Sequence, residues 1–543
     1  RDRGKQERSL EAGWADILTR NRLRVVRKMQ VALERLSINR LKAFARSAHL
    51  LALAVLATGC ATVDFDYPRE ASLAIEPATD TALKRSMDEW LEENPGPSGF
   101  FPLFEGTDAL GVRLRLIEVA EKTIDVQYFL MKPDTAGIAF GAALFSAAER
   151  GVRIRFLLDD IFTTIDDREL MLLDRHENIE IRLYNPVSGR GTKMFSFAGD
   201  FKRANRRMHN KSFTVDNNAT ILGGRNIADE YFGIQTRGEF LDLDVIGIGP
   251  VAAEVSDKFD LFWNDNRSIP LAAFTEPVSD EELDEIRTRI REEQRDAVIT
   301  AIEASRSTSL VEAVFGGEQH FYSAESDVIT DEPEKLNNRP GAEHALLATE
   351  LALLLDQAQS EVILLTPYFV PGKDGVEFWR DIVARGVRVV VVTNSLASNN
   401  HTAVHSGYSR YRKSVIDAGV ELYEIRVDSG EDPNEALTLH TKAFLIDRER
   451  AFIGSLNLDP RSIEINTEMG VVIESPEMTC LMAEGADRQL PARAWRVDRD
   501  ESGSLTWTTV VDGETVVETS EPDVGFGRKL QAFLLKVMPD SQL

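Results

Sequence analysis

Two copies of a short reactive pattern stand out in the 543-residue chain. Each copy reads His-x-Lys-x4-Asp, and the residues are His209, Lys211 and Asp216, then His440, Lys442 and Asp447. In a strand, residues two apart share a face, so each histidine and its lysine are predicted to point the same way. Such a histidine can act as a nucleophile or a proton donor, and the lysine can hold an anionic group. We include both aspartates in the catalytic motif but expect them to make structural hydrogen bonds.

A loop of small residues follows each copy of the pattern. Gly223–Asn226 reads GGRN and Gly454–Asn457 reads GSLN. Small residues let the backbone approach an oxyanion, and the Asn side chain adds a hydrogen-bond donor. Motif and loop together predict a pocket for a tetrahedral phosphate. The side chains expected to hold the phosphate are Lys211, Lys442, Asn226 and Asn457.

Each half of the chain also supplies a carboxylate beyond its loop. Asp242 follows His209 by 33 residues, and Glu468 follows His440 by 28 residues. A nucleophilic histidine needs an acceptor for its far ring nitrogen. We therefore expect Asp242 and Glu468 to orient the two imidazole rings.

These features belong to a longer internal repeat. Four pairs of segments recur in one order, at offsets that shrink from 240 to 226 residues: Thr123–Phe129 with Val362–Phe369, Gly151–Asp160 with Gly386–Ser395, Met208–Phe213 with Leu439–Phe444, and Asp242–Val245 with Glu468–Val471. Ordered self-similarity of this kind indicates a duplicated unit. In each unit, apolar runs typical of strands buried on both faces alternate with helical stretches that end at a glycine. This alternation predicts an α/β fold of two lobes with mixed sheets flanked by helices, related by pseudo-twofold symmetry.

The repeat and the composition of the chain predict four regions. A leader occupies residues 1–59, a first lobe residues 75–338 with a charged helical insert from about 275, and a second lobe residues 339–476. Residues 477–543 form a C-terminal extension, in which Asp512-Gly513 marks a hairpin. Its last segment, Phe526–Val537, is amphipathic. We expect that segment to pack on the core, with contact to a membrane surface as the alternative.

The net charge of the chain limits its partners. Lys and Arg number 63 against 89 Asp and Glu, a formal charge of −26; residues 1–59 carry +8, so the rest carries −34. A body this acidic repels phosphodiester backbones at long range. Nucleic acid is therefore not an expected partner.

The N-terminal region has the pattern of a secretory signal of the lipoprotein type. The apolar run Leu50–Ala57 follows a basic stretch and precedes Thr58, Gly59 and Cys60. The run is shorter than the roughly 20 residues that cross a membrane. We expect Cys60 to carry lipid and to anchor the protein in a bacterial cell envelope, facing the periplasm. The alternative is a short amphipathic helix with a buried thiol.

The motifs resemble those of the phospholipase D superfamily. Thr123–Tyr128 (TIDVQY), Arg206–Asp216 (RRMHNKSFTVD), Gly223–Asn226 (GGRN) and Val404–Arg410 (VHSGYSR) are similar to segments of the bacterial C-type cardiolipin synthases and their lipoprotein-like relatives. The resemblance covers most of the chain. It implies that one histidine attacks a phospholipid phosphate, an alcohol leaves, and a second alcohol takes the phosphatidyl group. It also implies His209 as the nucleophile and His440 as the acid and base.

The same resemblance implies which partners and cofactors the protein uses. The substrates are phospholipids, phosphatidylglycerol first and phosphatidylethanolamine as a further candidate, met at a membrane surface; no metal or other cofactor takes part. His401 and His405 have a spacing that suits a metal on a helix, but no Cys, Asp or Glu nearby completes a site. The resemblance instead places His405 and Tyr408 in the substrate pocket.

Three other functions remain open from the sequence. Water in place of the second alcohol would make the enzyme a hydrolytic phospholipase D, and the residues do not distinguish the two acceptors. A nuclease is a second alternative, which the acidic body disfavours. A non-catalytic envelope scaffold is the third, and two intact motifs argue against it.

Overall fold

The computed structural model describes residues 63–188, 200–234, 238–275, 320–338, 346–428 and 436–538, with isolated positions between 279 and 314. The predicted leader, Cys60 and most of the charged insert lie outside these residues. Residues 63–543 form one unit. Over the described ranges, the helices are all too short or too polar to span a bilayer.

The first half of the chain forms a mixed sheet whose centre is parallel. Its strands are β1 (Ser98–Leu103), β2 (Thr123–Tyr128), β3 (Arg153–Asp159), β4 (Ile179–Tyr184), β5 (Ser212–Val215), β6 (Ala219–Gly223), β8 (Asp244–Ile248) and β9 (Ser268–Pro270). The spatial order is β9-β4-β3-β2-β5-β6-β8-β1, in which β2, β3 and β4 are parallel and the other pairs antiparallel. A short strand β7 (Gly238–Leu241) stands apart from this sheet.

The second half repeats this order and extends it. Its strands are β10 (Tyr322–Thr330), β11 (Glu361–Leu365), β12 (Arg388–Asn394), β13 (Glu421–Ile425), β14 (Ala436–Leu439), β15 (Ala443–Ile446), β16 (Arg450–Gly454), β17 (Met469–Glu474), β18 (Ala494–Arg499), β19 (Leu505–Val511) and β20 (Glu514–Glu518). The order is β10-β17-β16-β15-β11-β12-β13-β18-β19-β20. Strands β1 and β10 hold equivalent edges and pair with each other, so the two sheets continue as one.

Helices cover the faces of both sheets. They are α1 (Ala82–Glu93), α2 (Gly106–Val119), α3 (Thr135–Glu149), α4 (Asp167–Asp174), α5 (Phe201–Ala204), α6 (Pro250–Trp263), α7 (Leu346–Asp356), α8 (Gly372–Ala384), α9 (Thr402–Ser409), α10 (Arg412–Asp417), α11 (Pro460–Glu464), α12 (Pro476–Arg493) and α13 (Phe526–Leu535). Each half has its own apolar cluster. A third cluster takes side chains from both halves, such as Leu222, Val245, Leu439 and Ile453, and buries the surface between them. The predicted α/β class with two repeated lobes is confirmed.

The register of the strands corrects one of the four sequence matches. Ile124 pairs with Val215 in the first sheet, and Val362 pairs with Ile446 in the second. Because Ile446 is the repeat equivalent of Val215, Val362 is the equivalent of Ile124. The shared Tyr-Phe therefore lies two residues further along in the second half. The reason is local: Pro367 has no backbone N–H to add to the ladder, so β11 ends before the Tyr-Phe pair.

The C-terminal extension combines a hairpin with an exposed helix. Strands β19 and β20 pair across Asp512 and Gly513, whose φ angles of 50° and 82° match a two-residue type I′ turn. Helix α13 follows, and Phe533 and Leu534 on it are exposed. The expected packing of this segment on the core is therefore wrong. Contacts with α9 hold the helix on the surface.

Candidate active site

A short parallel ladder between the two halves brings His440 and Asp242 together. Strand β7 pairs with β14 in parallel, and the last register pair is Leu241 with Leu439. Asp242 directly follows β7, and His440 directly follows β14. The backbone N–H of His440 also donates to the carbonyl of Leu241, at 2.7 Å. Parallel pairing thus delivers a side chain from each half to one place.

The same device, reduced to a single bridge, brings His209 and Glu468 together. Met208 and Thr467 form an isolated parallel bridge. The backbone N–H of His209 donates to the carbonyl of Thr467, at 2.9 Å. His209 directly follows Met208, and Glu468 directly follows Thr467. The two arrangements are equivalent under the repeat.

Each imidazole therefore contacts the carboxylate of the opposite half. Nδ1 of His209 lies 2.8 Å from Oε2 of Glu468, and Nδ1 of His440 lies 2.6 Å from Oδ2 of Asp242. Each histidine is thus oriented by the acid of the other half and not by the acid that follows it in the sequence. With Nδ1 engaged in this way, Nε2 is the ring nitrogen left for chemistry. Neither catalytic histidine is oriented by a carboxylate of its own half.

Two buried lysines share this site. Nζ of Lys211 donates to the carbonyl of His209 at 2.6 Å, and Nζ of Lys442 donates to the carbonyl of His440. Burial lowers the pKa of Lys211 to about 7 and that of Lys442 to about 8. Each lysine lowers the pKa of the other half's histidine as well. The four groups are therefore close enough to act on one bound charge.

The two carboxylates differ in charge state. Burial opposes ionisation of Asp242, but His440 and Lys442 outweigh it and lower the pKa of Asp242. Burial raises the pKa of Glu468 to about 7, although Lys211 and the hydroxyl of Ser455 oppose the shift. Both histidines have a lowered pKa, His440 about 3, mainly because of burial and next because of the neighbouring lysine. His440 thus has the ionised partner and His209 the partly protonated one.

Comparison with known proteins identifies the family. A family model described as cardiolipin synthase, PLD-like domain, matches residues 114–263 and 351–488, one match in each half. The chain is 37% identical to cardiolipin synthase C of Escherichia coli over 82% of its length and 96% of that protein. The chain belongs to this family. It is also 22% identical to cardiolipin synthase A of Buchnera aphidicola over 73% of its length and 71% of that protein.

A solved structure supports the fold independently of the sequence. The phosphatidylserine synthase of Haemophilus influenzae matches with a TM-score of 0.53 at 14% identity, over 84% of this chain and 100% of that one. At this identity the likeness concerns the fold alone. It agrees with the two-lobed sheet that positions the paired motifs in this cardiolipin synthase family member.

Aromatic rings pack on both imidazoles, and sequence reasoning missed them. Phe129 meets the His209 ring edge-on at 4.7 Å between centroids. Phe240 stacks on His440 at 5.1 Å, and Tyr231 meets its edge at 5.2 Å. Such rings hold an imidazole in place and exclude water around it. In the sequence they are indistinguishable from core residues, although Phe129 lies in a repeated segment.

The second residue of each loop, Gly224 or Ser455, lies against the orienting carboxylate, Asp242 or Glu468. A Cβ on Gly224 would lie 2.0 Å from Oδ1 of Asp242, so only glycine leaves room for that acid. The equivalent Ser455 donates its hydroxyl to Oε2 of Glu468, at 2.5 Å. Ser455 was predicted only as a small residue beside an oxyanion. Its hydroxyl instead holds the carboxylate.

The two loop amides are already anchored within their own halves. Nδ2 of Asn226 donates to the Tyr231 hydroxyl at 2.9 Å, and its Oδ1 accepts from the N–H of Leu130 at 3.3 Å. Nδ2 of Asn457 donates to the Ser462 hydroxyl at 3.2 Å. Each amide retains a second N–H that can donate to a ligand. Phosphate binding by these amides stays a prediction.

The motif aspartates do not reach the site. Asp216 lies at the far end of β5 and accepts from the backbone N–H groups of residues 121–123, at 2.7–3.1 Å. Asp447 repeats this arrangement with residues 359–361. Each fixes the start of the neighbouring central strand, β2 or β11. Their place in the catalytic set is therefore corrected to a structural one, as their hydrogen bonds show.

His405 and Tyr408, which the family resemblance places in the substrate pocket, lie in a buried ionic network in the structure. Nε2 of His405 lies 3.0 Å from the Arg412 guanidinium, and the Tyr408 hydroxyl donates to Glu424 at 2.6 Å. Arg412 also donates to Glu424 at 2.6 Å, and the Trp507 indole to the same carboxylate at 3.0 Å. All these groups are buried. They form an ionic network under α9 that joins the C-terminal extension to the second lobe.

Glu424→Gln is expected to destabilise the protein without changing its affinity for substrate. The substitution removes one of the two carboxylates, Glu424 and Glu521, that compensate the buried charge of Arg412, at a cost of about 2 kcal/mol in the free energy of unfolding. Denaturant unfolding measures this loss, and Glu514→Gln on the exposed hairpin serves as control. An increase of KM at unchanged stability would return this cluster to the pocket.

The grouping of His, Cys, Asp and Glu side chains bears on metal binding. Among the residues that the structure describes, no three His, Cys, Asp or Glu side chains are grouped to hold a metal ion. His401 contacts the ring of Tyr368, with centroids 5.7 Å apart. His401 and His405 therefore have separate surroundings.

Binding of an unreactive phosphate ester is expected to take up protons from solution. At about pH 8, Lys211 and Lys442 are partly neutral, and a bound anion raises the pKa of both. The uptake should shrink towards about pH 6, where both lysines are already charged. Titration calorimetry in buffers of different ionisation enthalpy measures it. A binding enthalpy independent of the buffer at both pH values would contradict this electrostatic picture.

Proposed function

We propose that the protein transfers a phosphatidyl group from one phospholipid to the hydroxyl of another, through a phosphohistidine. The observation that carries the proposal is the exchange of carboxylates, which gives two oriented histidines beside two buried lysines. Membership of the cardiolipin synthase family supports the substrate class. The lysines supply positive charge for a phosphodiester in a buried site.

In the first step, Nε2 of His209 attacks the phosphorus of the donor lipid. The P–N bond forms while the bond from phosphorus to the leaving alcohol breaks, and His440 gives that alcohol oxygen its proton. In the second step, His440 takes the proton from the acceptor hydroxyl, whose oxygen attacks phosphorus. The P–N bond breaks and His209 is restored.

The charge states of the acids support this division of roles. An imidazolium is best stabilised by an ionised carboxylate, and His440 has Asp242, whose pKa is lowered. His209 faces Glu468, which has a pKa of about 7 and favours a neutral ring. A phosphate anion offsets the lysines that repel a proton from His440. Substrate binding thus prepares the acid for the first step.

Phosphatidylglycerol is the proposed donor and acceptor, and phosphatidylethanolamine a further candidate. Hydrolysis is the second candidate function, since water and a lipid hydroxyl would use the same residues. A nuclease is disfavoured by the −34 charge that the chain carries beyond residue 59. A scaffold without activity is disfavoured by the complete pairs of histidine, carboxylate and lysine.

The proposed location is the bacterial envelope, with Cys60 lipidated and the lobes facing the periplasm. The pattern before Cys60 supports this, and a lipid-modified N-terminal cysteine with several acyl chains binds membranes firmly. Cys60→Ser should give a protein that takes up no labelled fatty acid in cells. An unmodified Cys60 in the mature wild-type protein would contradict the anchor.

Product analysis tests the function directly. The purified protein is incubated with phosphatidylglycerol vesicles, with and without phosphatidylethanolamine, and the lipids are resolved by mass. The expected products are cardiolipin and a free alcohol, absent with the His209→Ala variant. Phosphatidic acid as the sole product would favour the hydrolase. No change in either lipid would refute both candidates.

A further inference from the structure

Helix α13 turns its apolar face to solvent. Phe526, Phe533, Leu534 and Val537 are 80%, 67%, 61% and 86% exposed, and Leu530 is exposed too. The spacing i, i+4, i+7 and i+8 places Phe526, Leu530, Phe533 and Leu534 on one side of the helix, and Val537 follows its C-terminal end. Ala532, on the opposite side, is buried. Monomeric soluble proteins rarely leave so continuous an apolar stripe uncovered.

The charge of the helix is opposite to that of the protein around it. Residues 526–538 contain Arg528, Lys529 and Lys536 and no Asp or Glu, whereas the chain beyond residue 59 carries −34. Lys529 and the C-cap residue Lys536 border one edge of the apolar stripe. A stripe of Phe and Leu bordered by Lys is the composition of helices that lie in the surface of anionic membranes.

The helix is clamped to the body at both ends. Arg528 donates to the carbonyls of Ala397, at 3.2 Å, and of Asn399. At the other end, Arg410 donates to the carbonyls of Lys536 and Met538, at 3.2 and 3.0 Å. These bonds use backbone carbonyls of the helix end and of the segment beneath. The apolar stripe is left outside the contact.

The segment beneath the helix leads to the active site. Asn400 accepts from the Tyr368 hydroxyl at 2.7 Å, and His401 packs on the same ring. Phe369, which follows Tyr368, forms a parallel β-bridge with Leu458. Leu458 directly follows Asn457, whose amide lies in the second loop. The helix is thus connected to the catalytic centre through a short series of direct contacts.

We propose that the apolar stripe of α13 docks on an anionic phospholipid bilayer and holds the active site at the membrane surface. The proposal rests on the function proposed above, and it assigns to the chain a membrane contact separate from any lipid on Cys60. A symmetric contact between two copies would place the stripe and its Lys529 and Lys536 against the same lysines of the second copy, so an anionic bilayer is the occupant with complementary charge. The lipid substrate then reaches the site without leaving the surface.

An environment-sensitive label tests the contact itself. The full chain carries Cys60→Ser and Cys480→Ser, so that no acyl chain is attached and one thiol can be labelled with nitrobenzoxadiazole. That thiol is introduced by Leu534→Cys, or by Leu353→Cys as a control, because Leu353 is equally exposed (60%) on α7, which contacts β10. Vesicles are phosphatidylcholine alone or with phosphatidylglycerol. A blue shift at residue 534, only with phosphatidylglycerol and reversed by salt, is expected.

Turnover gives a second, independent measurement. Phe533→Ser with Leu534→Ser should reduce turnover of vesicle substrate at least about tenfold. Turnover of a monomeric short-chain phospholipid should stay unchanged, because these side chains lie outside the site. Leu353→Ser should affect neither substrate.

Three results would count against membrane docking by α13 or against the proposed function. An unshifted label on every vesicle, or equal shifts at residues 534 and 353, would overturn the docking. A lipid-free shift that grows with protein concentration, together with a doubled mass, would identify a second copy as the occupant and also overturn it. If the wild type turns over neither lipid, the proposed function fails, while the label still decides whether the helix binds membranes.

Discussion

His209→Ala is expected to reduce phospholipid turnover by about ten-thousandfold or more, because the group that forms the covalent intermediate is absent. His440→Ala should reduce it to a similar extent with natural lipids, since groups acting as a unit fail together. The two variants should separate on a donor with a good leaving group. Such a donor needs no acid, so His440→Ala should still complete the first step.

The burst of alcohol released from each donor, followed by rapid mixing, measures this difference. His320→Ala, an exposed histidine outside the site, should keep wild-type rates and controls for the loss of a ring. Circular dichroism of each variant checks that the fold is retained. Full activity of both His209→Ala and His440→Ala would remove the proposed chemistry altogether.

Replacing either orienting carboxylate is expected to have the second largest effect on turnover. Asp242→Asn should impair His440 of the other half, and Glu468→Gln should impair His209. Losing the carboxylate that orients a catalytic histidine costs about a thousandfold or more. With a good leaving group, Asp242→Asn should still give a burst of released alcohol, and Glu468→Gln should not.

This pattern distinguishes the exchanged arrangement from pairing within each half. Pairing within a half predicts the reverse, a burst with Glu468→Gln and none with Asp242→Asn. Asp216→Asn is the matched control from the motif, since its carboxylate binds only backbone N–H groups in front of β2. It should lower stability and leave the burst of the folded protein intact.

The repeat predicted the fold because it reflects strand register directly. The offset of 231 residues between the His-Lys motifs equals the offset between β5 and β15 and between β6 and β16. The exchange of Asp242 and Glu468 was not predictable in this way. It depends on the parallel pairing of β7 with β14 across the two halves, which tertiary packing produces and which spacing along the chain does not record.

Burial accounts for the remaining differences. Family resemblance suggested a pocket role for His405 and Tyr408, but only the structure reveals that Arg412 and Glu424 complete a buried ionic network with them. The pattern of α13 correctly indicated an amphipathic segment. Periodicity gives the apolar face of a helix and not its neighbour, so packing on the core was expected where the face is in fact exposed.

The most direct test of the account is to trap and map the covalent intermediate. The His440→Ala variant is mixed rapidly with a phosphatidyl ester of a good leaving group, quenched in base and digested for mass spectrometry. The account predicts a phosphatidyl adduct that is lost in acid, as a phosphohistidine is, and that maps to the peptide containing His209. An adduct on His440 of the converse variant His209→Ala, with none on His209, would contradict it.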